Sequence, residues 1–132
     1  GKPYAPLMRE SVERVGAHRP LVVGDRLDTD VEAGHFSGIP SLLVLTGVTD
    51  VETLLAAPED RRPTYVAADL RGLLLPAAAT QVLPTAAEHP DVDGLAALRA
   101  ACRAAWSAAD RGAPTPPRDL PSLEAAVQRA LG

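Results

Sequence analysis

The chain has 132 residues and a formal net charge of −4, which suits one domain with a modest core and argues against a nucleic-acid partner, whose phosphates call for a basic excess. No window of about 18 consecutive apolar residues is present, so neither a transmembrane helix nor a membrane partner is expected. The N-terminal residues lack the charged and then apolar pattern of a secretion signal, and the lone cysteine, Cys102, cannot form an internal disulfide, which fits a reducing, cytoplasmic setting.

Residues 1–6 read GKPYAP, without an initiator methionine. The expectation is a processed protein or a piece of a longer chain. The spacing of Met8, Val12 and Val15 predicts a helix over residues 3–16, with Pro3 in its first turn and Gly16 as its stop. Residues 20–23, PLVV, form an unbroken apolar run of the kind found in a strand buried on both faces of a parallel sheet. Gly24 turns the chain. Thr29 and Glu32 have the spacing of a capping box, which predicts a helix from about Asp30 to Phe36, ended by Gly38 and Pro40.

Residues 41–45, SLLVL, are a second buried-strand candidate, and residues 50–57 read as a short helix. Residues 64–67 suggest a third, short strand, and residues 69–75 a helix opening on Asp69 that Gly72 weakens. This alternation implies an α/β fold with a parallel sheet of about three strands and right-handed crossovers. Residues 76–90 read as a proline- and alanine-rich loop. Residues 91–110 read as a helix whose apolar face carries Leu95, Leu98, Cys102 and Trp106. Residues 112–121 read as a proline-rich linker, and residues 122–131 as a final helix with Ser122 as N-cap.

The stretch LVVGDRLDTD, residues 21–30, drives a strand into three aspartates. In parallel sheets, function gathers at the carboxyl ends of strands. Helix capping by Asp28 and Thr29, with a solvated Asp25, is the bland alternative. An EF-hand is excluded by position, because counting from Asp25 puts Leu27 third, and counting from Asp28 puts Ala33 sixth and Ile39 twelfth.

The run GDRLDTD after an apolar strand resembles the fourth signature motif, GDxxxxD, of the haloacid dehalogenase (HAD) superfamily of phosphotransferases, which sits on a Rossmann-like sheet. The opening GKP is similar to the third motif, with Lys2 as its lysine. SLLVLTGVT (residues 41–49) and RRPTYVAADLRGL (residues 61–73) resemble the branch containing NagD-like nucleotidases, phosphoglycolate phosphatases and glycerol-3-phosphate phosphatases.

The resemblance implies a Mg²⁺ cofactor, metal ligands Asp25 and Asp30, and catalytic residues Lys2 and Asp30. A hard cation takes oxygen ligands, usually one or two carboxylates plus a phosphate, and without it neighbouring carboxylates repel by about 4 kcal/mol at about 4 Å. The implied division is residues 1–75 as the C-terminal part of a HAD core, 76–90 as a loop, and 91–132 as a helical extension. The family's nucleophile lies in a DxDGT-like motif that this sequence lacks. Asp91-Val92-Asp93-Gly94 is only superficially similar, since Pro90 precedes it and no buried strand leads in, so it reads as a helix start.

The leading expectation is therefore part of a Mg²⁺-dependent phosphatase for a small phosphorylated metabolite, inactive alone, its partners being the N-terminal half of the core and a cap domain; a homo-oligomer stays open. The competing reading is a non-catalytic HAD-like binding module. A phospho-receiver domain fits less well, because its lysine should come late in the chain. His18, His35 and His89 read as surface residues, Cys102 and Trp106 as packing residues, Arg61 and Arg62 as a solvated pair, and Thr46 and Gly47 as turn residues.

Overall fold

A computed structural model describes residues 20–83 and 90–132. The helix expected at 3–16, together with Lys2, His18 and His89, lies outside these residues. Strand β1 is Val22–Gly24, β2 is Ser41–Val44 and β3 is Tyr65–Ala67. They form a parallel sheet in the order β1-β2-β3, with Val23 opposite Leu42 and Leu43 opposite Val66. The parallel α/β class is as the sequence implies; β2, the central strand, is buried along its whole length, while β1 is only half-buried, which the expectation of a strand buried on both faces did not anticipate.

Between β1 and β2, helix α1 (Glu32–Ser37) ends on Gly38, whose φ of 69° is the left-handed conformation that glycine adopts without a Cβ penalty. Helix α2 (Val51–Leu55) is capped by Asp50, whose carboxylate accepts from Thr53 N–H at 2.8 Å. One face of the sheet, with Leu43, Leu45 and Val66, packs on Leu54, Leu98, Cys102, Trp106, Leu123 and Val127 in one apolar core. Leu42, Val44 and Ala67 form a smaller cluster on the other face. Burying a leucine side chain in such a core contributes about 1.5–3 kcal/mol.

Several expectations need correcting. The helix expected to open on Asp69 is present, over residues 70–74 with Asp69 as N-cap, and it is of the tight three-residue-per-turn kind. Gly72 lets this turn lie close against the end of β3, since a Cβ there would strike the Cβ of Ala67. Among the described residues of the loop at 76–90 are a helical turn, α3 (Ala77–Thr80), and an antiparallel bridge between Gln81 and Tyr65.

Helix α4 is Ala96–Asp110, starting later than the expected residue 91, because Asp91 and Asp93 spend their carboxylates on the turn before it. Helix α5 is Leu120–Leu131, and its N-cap is Asp119, not Ser122: the Asp119 carboxylate accepts from Ser122 N–H at 3.2 Å and from the Ser122 hydroxyl at 2.7 Å. Pro121 falls in the first turn, where its missing N–H costs nothing. Asp119→Ala should lower stability by about 1 kcal/mol in urea denaturation.

Arg62 is not solvated. It donates to Ala57 O at 3.1 Å and to both oxygens of Asp110 at 2.9 and 3.0 Å, and stacks 5.7 Å from the ring centre of Trp106. The Trp106 indole N–H donates to Leu54 O at 3.1 Å, tying α4 to α2. Cys102 is fully buried, and burial pushes its thiol up to about 12. The reactive thiolate is then scarce at pH 8, so the native protein should leave a chromogenic disulfide reagent unreacted, and unfolding in guanidinium should release one thiol per chain. Among the described residues no helix is long and apolar enough to cross a membrane.

Candidate metal centre

The aspartate loop leaves the carboxyl end of β1. Arg26 is extended (φ −123°, ψ 133°), and the next residues, Leu27–Val31, wind as a wide π-helical turn in which Val31 N–H reaches back to Arg26 O at 3.2 Å. The capping box expected of Thr29 and Glu32 is not formed, because this turn already begins at Leu27. Leu27 and Val31, four residues apart, are both buried, 6% and 1% exposed, while Asp28, Thr29 and Asp30 remain half-buried between them. Turns of this width are frequent at functional sites.

The three aspartates have different environments. Asp28 takes a two-pronged ion pair from the Arg26 guanidinium, with both contacts at 3.1 Å. That hydrogen bonding holds the Asp28 carboxyl below the usual range and raises Arg26 above its own. Asp30 accepts from Arg26 N–H at 3.1 Å, which fixes its position in the turn. The peptide carbonyl of Asp25 accepts from the Thr49 hydroxyl at 2.8 Å.

Two glycines make room for two carboxylates. A Cβ on Gly24 would overlap the Asp30 side chain, and a Cβ on Gly47 would overlap the Asp25 carboxylate. Neither glycine is needed for its backbone angles. Both are there because a carboxylate passes directly over the main chain. The structure thus brings Asp25 and Asp30 onto the same loop end, framed by the turns after β1 and β2.

This donor set consists of oxygen atoms only, as a hard divalent cation prefers. Among the described residues no group of three or more His, Cys, Asp or Glu side chains is arranged to hold a metal. A cation at Asp25 and Asp30 would fill its remaining positions with water or phosphate, which Mg²⁺ readily keeps. Beside the loop lies an open groove of about 580 Å³, whose walls include Arg26, Asp28, Thr49, Asp50 and Arg61.

Other candidates fall away. Asp91 accepts from Gly94 N–H at 2.9 Å and Ala96 N–H at 3.2 Å, in a turn where Gly94 has φ 81°. Asp93 pairs with the buried Arg99. DVDG is therefore a helix entry, as its flanks suggest. His35 lies exposed, edge-on to Phe36 with ring centres 5.2 Å apart. Thr49, which sequence reasoning passed over, is 8% exposed and bonded to the aspartate loop. Its sequence signal is faint: a threonine immediately before the helix cap Asp50.

A parallel α/β sheet with a paired-carboxylate loop at a strand's carboxyl end defines the class, an α/β domain with a candidate divalent-cation site. A model of the HAD-hydrolase-like family matches residues 1–73, more than half of the chain. The protein belongs to that family.

Its relatives are phosphatases. The D-glycerol 3-phosphate phosphatase of Mycobacterium tuberculosis is 39% identical over 150 aligned positions, covering 98% of this chain and 42% of that protein. Phosphoglycolate phosphatase 2 of Arabidopsis thaliana is 42% identical over 67 residues, 49% of this chain and 22% of its own length. The ribonucleotide monophosphatase NagD of Escherichia coli K12 is 34% identical over 68 residues, 50% of this chain and 26% of its own length. The chain spans less than half the length of these relatives.

Crystal structures of the M. tuberculosis glycerol phosphate phosphatase match as well. The calcium complex superposes with a TM-score of 0.75 at 38% identity, covering 98% of this chain and 44% of that one. The magnesium complex gives 0.73 at 36%, covering 98% and 42%.

Proposed function

We propose that this chain supplies the metal-binding half of a Mg²⁺-dependent phosphatase that hydrolyses a small phosphate monoester of the glycerol 3-phosphate or phosphoglycolate type. The observation that carries the reading is the pair Asp25 and Asp30, each given room by a glycine at the carboxyl end of a parallel sheet. The phosphatase names of the relatives, and the calcium and magnesium in the matching crystal structures, support the same reading. A bound divalent cation would supply electrostatic stabilisation of the phosphoryl oxygens as charge builds on them.

In this reading Asp25 is a direct ligand, Asp30 binds the cation or a water on it and orients the loop through Arg26 N–H, and Lys2 offsets phosphate charge. The nucleophilic aspartate, which would form an aspartyl-phosphate, belongs to a motif outside this sequence. Residues 1–75 form the core portion, 76–90 the connection, and 91–132 a helical extension that completes the core on one sheet face. The setting is cytoplasmic.

The chain alone should then bind Mg²⁺ without turning over substrate. Joining it to a segment that carries a DxDGT-type strand and a cap should restore hydrolysis of glycerol 3-phosphate. Robust Mg²⁺-dependent hydrolysis by the isolated chain would disprove the division of labour, and a joined protein that binds Mg²⁺ without hydrolysing any small phosphate ester would favour a binding module.

A further inference from the structure

The geometry points to the turn between β2 and α2, residues 45–50, as the element that positions Asp25, with Thr49 holding its peptide and Gly47 setting the room for its carboxylate. This goes beyond the metal reading but rests on it for its consequence. The Thr49 hydroxyl is buried, and its bond goes to Asp25 O at 2.8 Å. It is not spent on the helix behind it, because Asp50 already caps α2 through Thr53 N–H. The turn is itself anchored: Leu45 N–H donates to Ala67 O at 3.2 Å and Ala68 O at 3.0 Å, at the end of β3. Asp25 is thereby referred, through Thr49 and Leu45, to the far strand of the sheet.

Gly47 works on the carboxylate rather than the peptide. The nearest atom to a Cβ at this position is Asp25 Oδ2, the far end of a flexible side chain. An added methyl would turn that carboxylate aside, and the Asp25 Cβ, 3.2 Å away, would need to give only slightly. At Gly24 the clash extends to the Cβ of Asp30, which cannot move without its backbone. The two glycines therefore differ in degree: the Cβ of Asp30 would lie 2.4 Å from the added atom, that of Asp25 3.2 Å. Groups that orient a metal ligand without touching the metal typically change affinity by about 10–100-fold when removed, and Thr49 and Gly47 belong among them as positioning residues.

The test uses the 132-residue chain as wild type, Thr49→Val, Thr49→Ser and Gly47→Ala. NMR three-bond couplings report the Asp25 χ1 populations without metal, a Mg²⁺ titration gives the dissociation constant, and thermal unfolding gives Tm. Wild type should hold one Asp25 rotamer. Thr49→Val and Gly47→Ala should shift or average it and weaken Mg²⁺ binding by about tenfold or more, Thr49→Ser should restore both, and Gly47→Ala should keep the wild-type Tm.

An averaged Asp25 in wild type, or a Thr49→Val variant with unchanged rotamer and affinity, overturns the inference. A fixed rotamer in wild type that the variants release, with no Mg²⁺ bound by any of them, sustains the positioning role and overturns the metal reading instead.

Discussion

Asp25→Asn should weaken Mg²⁺ binding by at least about 100-fold, the upper range for losing even an indirect support of a metal. In a chain completed with a nucleophile, phosphatase activity should fall at least as far. Asn keeps the size and one oxygen of the ligand but removes the charge that a hard cation selects. Asp28→Asn is the matched control. Its carboxylate is already engaged by the Arg26 guanidinium, so neutralising it should leave Mg²⁺ affinity near wild type. Calorimetry or an NMR titration separates the two. Equal losses in both variants would mean that the loop attracts cations by bulk charge, not through a particular ligand. In metal-free buffer, Asp25→Asn should not lower Tm, because it relieves repulsion among neighbouring carboxylates.

Arg99→Ala should cost about 3–5 kcal/mol, the usual consequence of breaking a buried ion pair by removing one partner, and a large fraction of a typical stability of about 5–15 kcal/mol. Arg99 is 4% exposed. Its guanidinium donates to Val66 O at 3.1 and 2.6 Å and to Asp93 at 3.0 and 2.5 Å. Alanine would leave a carbonyl and a carboxylate without these donors. Urea denaturation of the variant should show a much lower midpoint, and the paired replacement Asp93→Leu with Arg99→Met should recover part of the loss.

The pH dependence follows in sign. Burial alone would push the Asp93 carboxyl up, but the hydrogen bond and charge of Arg99 outweigh it and hold the group below its ordinary value. Its contribution is therefore present above the normal carboxylate range, near pH 4, and is lost as pH falls through the depressed folded value. Wild type should show this acid loss, and Arg99→Ala should have lost it at every pH.

What the sequence disclosed and what it hid divide along physical lines. The three strands were legible because PLVV, SLLVL and TYVA are short, mainly apolar runs between breakers, though only the central one, β2, is buried along its whole length, and β1 begins at Val22 and is half-buried. The loop bearing Asp25 and Asp30 was legible through a motif. Its winding was not. Thr29 and Glu32 have capping-box spacing, yet the chain adopts a wider turn that closes on Arg26, which local propensity does not anticipate.

Ser122 was read as the cap because the helix was started after Pro121; the helix in fact takes Pro121 into its first turn and begins at Leu120, so Asp119 caps it. Arg99 went unnoticed because its partner Asp93 precedes the helix, at a spacing no helical rule pairs. The clue was its place on the apolar face, four residues after Leu95 and three before Cys102. Thr49 was hidden for a different reason, since its partner is a peptide carbonyl 24 residues away, and main-chain acceptors leave no mark in a sequence.

The outer side of β3 has one further consequence. Gln81 bridges to Tyr65, Val82 N–H donates to Thr64 O at 3.0 Å, and the Arg99 guanidinium occupies Val66 O. Arg103 in turn holds Val82 O at 2.7 Å. A sheet so sealed on one flank grows in one direction only. Among the described residues, the edge left for an additional strand is that of β1, next to the loop that carries the aspartates.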